Sequence, residues 1–251
     1  MGYNVHFQTD SSYKSVKYGQ GTVYRSGCGP ASLCNALDAL GIAKVTVKTM
    51  CAYAVSVGAR VSGGTDEATL LRHAAKKYGF SYKTTSKNAE LLAHLKSGGV
   101  AILHGGNSYK LFSSGGHFVC AVAAKGSTIT VLDSYWYSSK YTSSAIRRNY
   151  VHVVNKGVLQ TSLTQCGKAT IDRAPSYYLL SSSKQDAHPS EQEEPDMTYY
   201  KEFKDIPLYY QDAVKKLLDA GAIAGTGKGL ELSEDLCRAF TILDKAGLLK
   251  L

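Results

Sequence analysis

The chain has no long hydrophobic run. Although 44% of its 251 residues are hydrophobic, no apolar stretch reaches about 18 residues, the length that a membrane-spanning helix requires. We therefore expect no membrane span. Residues 1–6 hold neither a basic stretch nor an apolar core, so we also expect no secretory signal. This composition is typical of an enzyme made in the cytoplasm, with one sizeable core and a small second module.

Cysteine pairs of the kind that bind metals are also missing. The six cysteines are Cys28, Cys34, Cys51, Cys120, Cys166 and Cys237. None stands in a Cys-x-x-Cys pair, and none has the spacing to histidine of a zinc finger. We expect no metal, no cofactor and mostly reduced, buried thiols, as in a protein made in a reducing compartment.

Long basic runs are scarce, although charge is unevenly distributed. Residues 1–180 contain 20 Lys and Arg against 7 Asp and Glu, a balance of +13, whereas residues 181–251 contain 9 against 13, a balance of −4. A basic part of this size attracts polyanions. Its basic runs do not exceed the pairs Lys76-Lys77 and Arg147-Arg148, and no nucleic-acid-binding motif accompanies them. We therefore do not expect nucleic acid as the partner.

One cysteine lies in a segment that favours a reactive thiol. The motif is Ser26-Gly27-Cys28-Gly29-Pro30-Ala31-Ser32, and apolar residues at helical spacing follow it. A cysteine at the start of a helix faces the positive end of the helix dipole, which favours the nucleophilic thiolate. The flanking glycines allow a backbone or a substrate to approach closely. Because a cysteine in a tight turn is more often a small buried residue, the assignment of Cys28 as a nucleophile depends on partners downstream.

Two such partners are predicted on one hairpin. His117 follows a glycine pair and opens an apolar run, which predicts a buried strand with the histidine at its start. Asp133 closes the next β-rich run, and Gly126 makes a plausible tight turn between the two. The start of one strand and the end of the next meet at the same edge of an antiparallel pair. Asp133 can then fix the tautomer of His117, whose other nitrogen faces a thiol.

At these residues the chain resembles the papain-like C39 peptidases, in the C39-like branch whose nucleophile motif matches Gly27 to Ser32. The resemblance covers roughly residues 3–155. It implies an α+β, papain-like cysteine peptidase fold, in which a helix bearing Cys28 packs on an antiparallel sheet bearing His117 and Asp133. The family often has Asp-Pro after the second strand, whereas Ser134 follows the acid here. That departure concerns the turn rather than the acid.

The same resemblance implies a glutamine upstream of the cysteine that helps to form the oxyanion hole. Two residues are candidates. Gln8 lies in Val5-His6-Phe7-Gln8-Thr9-Asp10, which is similar to the short segment that bears the family glutamine, whereas Gln20 is closer in sequence but lies in a loop-like stretch. We favour Gln8 and keep Gln20 as the alternative.

The remaining pattern of the first part predicts further elements. Helical periodicity marks residues 65–79, with an acidic first turn and a glycine stop, and residues 88–97, with Asn88 as the cap. A late strand is expected within residues 171–180. Residues 155–175 show no clear pattern. The catalytic domain is thus predicted to span residues 1–180.

The composition changes after residue 180. Residues 181–196 are rich in serine, proline and acidic side chains and predict a linker. Residues 197–251 predict a small helical module, with one helix after Pro207 and a second capped at Leu232-Ser233-Glu234-Asp235. The glycine-rich stretch between them lacks both a preceding strand and the Gly-Lys-Ser/Thr ending of a phosphate loop. The module resembles the SLH-like module of clostridial phage and prophage lysins, which implies wall targeting or dimerisation; a helical packing appendage is the alternative.

Together these resemblances imply a phage or prophage endolysin that is made in the bacterial cytoplasm and acts at the cell wall after release. Its expected substrates are peptidoglycan stem peptides or cross-bridges, with anionic wall polymers as further partners and self-association through the second module. Two alternatives remain open. One is a peptidase directed at proteins, and the other is a catalytically inactive wall-binding or interaction protein on the same scaffold.

Overall fold

The structure is a computed structural model that describes residues 2–182, 199–224, 229–230 and 232–249, without the side chains of Tyr199 and Asp235. The chain divides into two compact units, Met1–Ser190 and Glu191–Leu251. Both helices and a large antiparallel sheet build the first unit, so the fold class is mixed α+β.

The helices of the described residues alternate with the strands along the chain. They are α1 (Val23–Ser26), α2 (Cys28–Ala39), α3 (Val47–Ser56), α4 (Glu67–Tyr78), α5 (Asn88–Lys96), α6 (Ala145–Tyr150), α7 (Leu163–Ala169), α8 (Leu208–Asp219) and α9 (Glu234–Lys245). The strands are β1 (Lys17–Tyr18), β2 (Gly21–Thr22), β3 (Arg60–Val61), β4 (Gly64–Thr65), β5 (Phe80–Thr85), β6 (Val100–Gly105), β7 (His117–Lys125), β8 (Thr128–Leu132), β9 (His152–Asn155), β10 (Val158–Ser162), β11 (Tyr177–Ser182), β12 (Tyr199–Tyr200) and β13 (Leu232–Ser233).

Among the described residues, seven strands form the main sheet, in the order β5-β11-β6-β7-β8-β10-β9, and every neighbouring pair is antiparallel. Strand β11 is the last described strand of this unit but pairs with both β5 and β6. The remaining short strands of this unit pair as β1 with β2 and β3 with β4.

The main sheet is buried on both faces, which explains why its central strands are almost uniformly apolar. Along β7, Phe118 and Cys120 face one core cluster and Val119 and Ala121 face the other, as the two-residue period of a strand requires. The first cluster includes residues of α2, α3 and α4, and the second includes residues of α5 and α7. Helix α2 packs on β7 and β6, so the sheet supports the helix that Cys28 begins.

The glycines on either side of Cys28 are required by close packing inside the protein. A Cβ at Gly27 would lie 2.6 Å from the Val23 carbonyl oxygen, and a Cβ at Gly29 would overlap the Glu67 carboxyl group. Of the two alternatives that the sequence left open, the close approach of a backbone is confirmed at Gly27, whereas side chains of the same chain approach Gly29.

Several sequence predictions hold with changed bounds. The predicted hairpin is confirmed, because β7 and β8 pair across a turn at Gly126. The helix predicted over 65–79 begins only at Glu67, since Thr65 belongs to β4 and Asp66 is the cap. The prediction of Asn88 as the N-terminal cap of α5 is wrong. Lys87 takes the cap position without a side-chain hydrogen bond, and the Asn88 side chain instead accepts a hydrogen bond from the Tyr177 hydroxyl.

The later bounds also move. The late strand is Tyr177–Ser182, so the folded first unit extends past residue 180, and the first two residues of the predicted linker, Ser181 and Ser182, belong to β11. The rest of that linker, residues 183–196, lies outside the described residues, as do residues 225–228 of the glycine-rich stretch.

The second unit has its own small core of Tyr200, Ile206, Tyr210, Val214, Leu232 and Cys237. Pro207 precedes α8, and the Ser233 side chain caps α9 by accepting from the Leu236 N–H, as the sequence predicted. The apolar spacing of this helix predicts Leu236, Phe240, Ile242 and Leu243 as its buried positions. Phe240 packs against the small core, whereas Leu236, Ile242 and Leu243 are exposed. Within the described part of the chain, no helix is both long and apolar enough to cross a membrane.

Candidate active site

A cavity of about 540 Å³ lies beside the start of α2, and Gln8, Cys28 and His117 all line it. We call it the catalytic cavity. These residues come from three distant parts of the sequence. The N-terminal segment supplies Gln8, the first residue of α2 supplies Cys28, and the first residue of β7 supplies His117.

Cys28 differs from the other thiols in exposure and in acidity. It is partly exposed, and the remaining five cysteines, all of them described, are buried. Burial raises the pKa of Cys51 and of Cys166 to about 12. Burial would raise the pKa of Cys28 as well, but the hydrogen bond and charge of His117, and then the N–H groups of Phe118 and Gly29, lower it below its ordinary value of 9.0. The position at the start of α2 acts in the same direction.

His117 is held between Cys28 and Asp133. Its Nε2 lies 2.8 Å from Asp133 Oδ1, which leaves the other ring nitrogen for the thiol. Burial and the Lys140 ammonium would lower the pKa of His117, whereas the charge and hydrogen bond of Asp133 and the bond to Cys28 raise it above 6.5. A lowered thiol pKa beside a raised imidazole pKa favours the thiolate–imidazolium pair.

Asp133 follows the last residue of β8 and is fully buried. Besides His117, its carboxylate accepts hydrogen bonds from Lys140 Nζ at 2.5 Å, from the Tyr141 hydroxyl at 2.6 Å and from the Tyr135 N–H at 3.0 Å. Burial alone would raise the pKa of Asp133, but the Lys140 and His117 charges hold it well below its ordinary value. The acid therefore remains ionised beneath His117.

Of the two candidate glutamines, Gln8 lies in the catalytic cavity, and Gln20 lines a separate cavity of about 830 Å³. The amide of Gln8 is held at both ends. Its Nε2 donates to the Tyr24 carbonyl at 3.1 Å, and its Oε1 accepts from the Ser134 hydroxyl at 3.0 Å. The second N–H of that amide remains for another acceptor. Ser134, the residue after Asp133, thus fixes the orientation of Gln8.

A second buried carboxyl group lies close to Cys28. Glu67 begins α4 next to Gly29, and both of its carboxyl oxygens are buried with no hydrogen-bond partner among the described residues. Burial, and then the charges of Cys28 and Asp66, raise the pKa of Glu67 well above 4.5. The group therefore keeps its proton to a higher pH than an ordinary glutamate.

Lys140, Tyr141 and Glu67 are the site residues that the sequence did not indicate. Lys140 and Tyr141 follow Asp133 by seven and eight residues in an irregular, tyrosine-rich segment, so no helical or strand period places them. A lysine this close to the predicted acid was the one available signal. Glu67 lies in what the sequence presents as an ordinary acidic first turn of a helix.

The described residues contain no group of three or more His, Cys, Asp or Glu side chains that could hold a metal ion. Neither a protein-family model nor a curated protein matches the chain. The arrangement of Cys28, His117, Asp133 and Gln8 therefore has to be interpreted from its own geometry and chemistry.

Proposed function

We propose that the first unit is a papain-like cysteine peptidase. The observation that carries the proposal is that Cys28 and His117 line one cavity with Gln8, while His117 contacts the buried Asp133 carboxylate at 2.8 Å. A thiol with a lowered pKa, next to a base that a third group orients, is the arrangement of nucleophilic catalysis. The helix bearing Cys28 packs on the antiparallel sheet bearing His117, as in the resemblance noted from the sequence.

In the mechanism that we infer, the Cys28 thiolate attacks the scissile carbonyl carbon. The Cys28 N–H, in the first turn of α2 where helix N–H groups lack intrahelical acceptors, and the free N–H of Gln8 stabilise the oxyanion. The His117 imidazolium donates its proton to the leaving amine, and the thioester forms. His117 then removes a proton from water, which hydrolyses the thioester and regenerates Cys28.

We further propose peptidoglycan peptides as the substrate class, in a phage or prophage endolysin made in the bacterial cytoplasm. The basic balance of +13 over residues 1–180 favours anionic material such as stem peptides and wall polymers. The second unit exposes Leu208, Tyr209, Ile242 and Leu248, at 82%, 64%, 61% and 66%, which is typical of a docking module. Wall targeting or self-association is its proposed role.

The test of catalysis is Cys28→Ala, with Cys34→Ala as the matched control. Cys34 is buried six positions further along α2 and lines no part of the catalytic cavity. We expect the first variant to release no peptides from purified peptidoglycan, measured by mass spectrometry, and the second to remain active if it folds. A Cys28→Ala protein with more than a few per cent of wild-type activity would contradict the proposal. Cleavage of protein substrates but not of peptidoglycan would favour the protein-directed alternative.

The test of the module is a shortened chain that ends at Ser182, the last residue of β11. It keeps every proposed catalytic residue, so we expect unchanged hydrolysis of soluble muropeptides. On intact walls we expect lower activity, or fewer copies per particle in solution, because a tethered module raises the local concentration or joins two copies. Unchanged wall sedimentation together with an unchanged oligomeric state would leave the module as a packing appendage.

A further inference from the structure

The catalytic cavity contains positive charge that no described acidic group balances. The charged side chains that line it are Arg25, Lys140 and Arg147, together with His117, and no Asp or Glu is among its lining residues. Lys140 is paired with Asp133, and the His117 imidazolium is paired with the Cys28 thiolate. Arg25 and Arg147 remain without an ion-pair partner in the described part of the chain.

Arg147 is the more constrained of the two. It is only 6% exposed, and its Nε and Nη1 each donate at 3.2 Å, to the carbonyls of Lys110 and Lys140. Both acceptors are neutral. A buried guanidinium without a counter-charge is unfavourable, so the burial of Arg147 lowers the stability of the folded protein.

The backbone around this guanidinium also indicates a built site. Lys110, whose carbonyl accepts from Arg147, has a φ of 55°, a left-handed conformation that non-glycine residues seldom adopt. Two bonds to separate segments orient the plane of the guanidinium, and its Nη2 donates to no described residue. A preorganised fork of this kind suits a carboxylate.

Arg25 extends the positive surface beyond the catalytic cavity. It is exposed in α1 and also lines the neighbouring cavity of about 830 Å³, together with Lys14 and Lys17. No acidic residue lines that cavity among the described residues. An anionic ligand that enters the catalytic cavity therefore meets two guanidinium groups and no opposing carboxylate at the surface.

We propose that Arg147, assisted by Arg25, binds a carboxylate of the substrate beside the scissile bond. This inference rests on the proposed peptidase function and specifies its substrate class: peptides that carry a free carboxylate close to the cleaved amide. A charge-assisted, bidentate bond from arginine discriminates a carboxylate from a carboxamide of the same shape. Stem peptides with a free carboxylate are then better substrates than their amidated forms.

The first test uses Cys28 as its own reporter. Iodoacetate and iodoacetamide both alkylate a thiolate and differ in charge, so the ratio of their rates cancels any change in the pKa of Cys28. We expect the rate with iodoacetate, divided by the rate with iodoacetamide, to fall about tenfold in Arg147→Gln. This ratio should fall less in Arg25→Gln and stay unchanged in Arg148→Gln. Arg148 is the matched control, since it is exposed, donates to the Thr142 carbonyl and does not line the cavity.

Arg147→Lys keeps the test decisive if Arg147→Gln does not fold. Lysine retains the charge without the planar fork, so the ratio in Arg147→Lys should fall below that of the wild type. It should fall further in the double variant Arg25→Gln/Arg147→Lys. A ratio that is the same in the wild type, in Arg25→Gln and in whichever Arg147 variant folds would overturn the proposal.

The second test compares two purified muropeptides that differ only in a carboxylate or carboxamide next to the candidate bond. We expect a higher kcat/KM for the carboxylate form, with the preference lost in Arg147→Gln or reduced in Arg147→Lys. Hydrolysis without that preference would remove the carboxylate site and keep the peptidase. If neither muropeptide is cleaved but the alkylation ratio still depends on Arg147, the anion site stands and the proposed substrate falls.

Discussion

Asp133 and Glu67 are both buried carboxyl groups near Cys28, and their surroundings are opposite. Asp133 is bonded to His117 Nε2 and accepts hydrogen bonds from Lys140, Tyr141 and the Tyr135 N–H. Glu67 has no hydrogen-bond partner among the described residues. The pKa of Asp133 is lowered and that of Glu67 is raised.

The comparison shows that partners, and not depth, decide the charge of a buried acid. At Asp133 an ammonium and an imidazolium outweigh the loss of hydration, so a permanent negative charge orients His117. At Glu67 nothing compensates burial, and the adjacent thiolate disfavours a second negative charge. As long as Glu67 keeps its proton, it adds no second negative charge next to the Cys28 thiolate.

The largest expected effect comes from removing the charge of Asp133. In Asp133→Asn, one amide must replace two accepting oxygens, so its NH2 group faces either His117 or the donors Lys140 and Tyr141. We expect hydrolysis to fall by roughly 10²- to 10⁴-fold, measured as kcat on soluble muropeptides. Glu90→Gln, at a partly exposed carboxyl on α5 that does not line the catalytic cavity, is the control and should change nothing. Activity within a factor of about three of wild type would show that the acid does not orient His117.

Removing the ammonium beneath Asp133 should have the next largest effect. Lys140→Met keeps an unbranched side chain without the ammonium and leaves a buried carboxylate short of one partner, which costs about 3–5 kcal/mol in free energy of unfolding. Because the Lys140 charge lowers the pKa of His117, its loss should raise that pKa and move the alkaline limb of the pH–rate profile to higher pH.

Lys87→Met is the surface counterpart of Lys140→Met. Lys87 pairs with Glu90 in solvent, so we expect a loss below about 1 kcal/mol and no movement of the pH profile. Urea unfolding and the pH dependence of kcat/KM measure both variants. An alkaline limb that stays in place in Lys140→Met would contradict the role of Lys140 in setting the pKa of His117.

Glu67→Gln should have the smallest effect on catalysis and a clear signature in stability. The folded-state pKa of Glu67 is above its ordinary value of 4.5, so the unfolded chain loses this proton first. Stability associated with Glu67 is therefore complete below about pH 4 and declines as pH rises through the folded-state pKa. Glutamine does not titrate, and the variant should gain on the wild type by up to about 1.4 kcal/mol per pH unit above the ordinary value. A stability difference that is constant with pH would show that Glu67 is ionised in the folded protein.

The parts of the site that sequence reasoning placed are those that stand at the ends of regular elements. The helix dipole and glycine pattern placed Cys28, and the two-strand period brought His117 and Asp133 to one edge. The hairpin is observed at that edge, with the 2.8 Å contact between the two side chains. These are local patterns, and local patterns are visible in a sequence.

Irregular segments and long-range pairing could not be predicted in this way. Lys140 reaches Asp133 from a turn-rich stretch without a period. Within residues 155–175, β10 and α7 are both short. β10 pairs with β8, so its place is set by tertiary contacts that outweigh a weak local preference, and α7 follows it directly. In α9, the apolar spacing predicts that Leu236 and Ile242 are buried, but both are exposed, and Cys237 takes the buried position.

The place of β11 has a consequence for how the protein is made. The last described strand of the first unit inserts between β5 and β6, which are separated by a helix and were synthesised some eighty to one hundred residues earlier. Until residues 177–182 have left the ribosome, β5 has no neighbour in the sheet and β6 presents an open edge. A growing chain that already contains Gln8, Cys28, His117 and Asp133 is thus still an unfinished sheet. Premature termination before Tyr177 therefore yields a polypeptide with the complete set of proposed catalytic residues and no finished scaffold to align them.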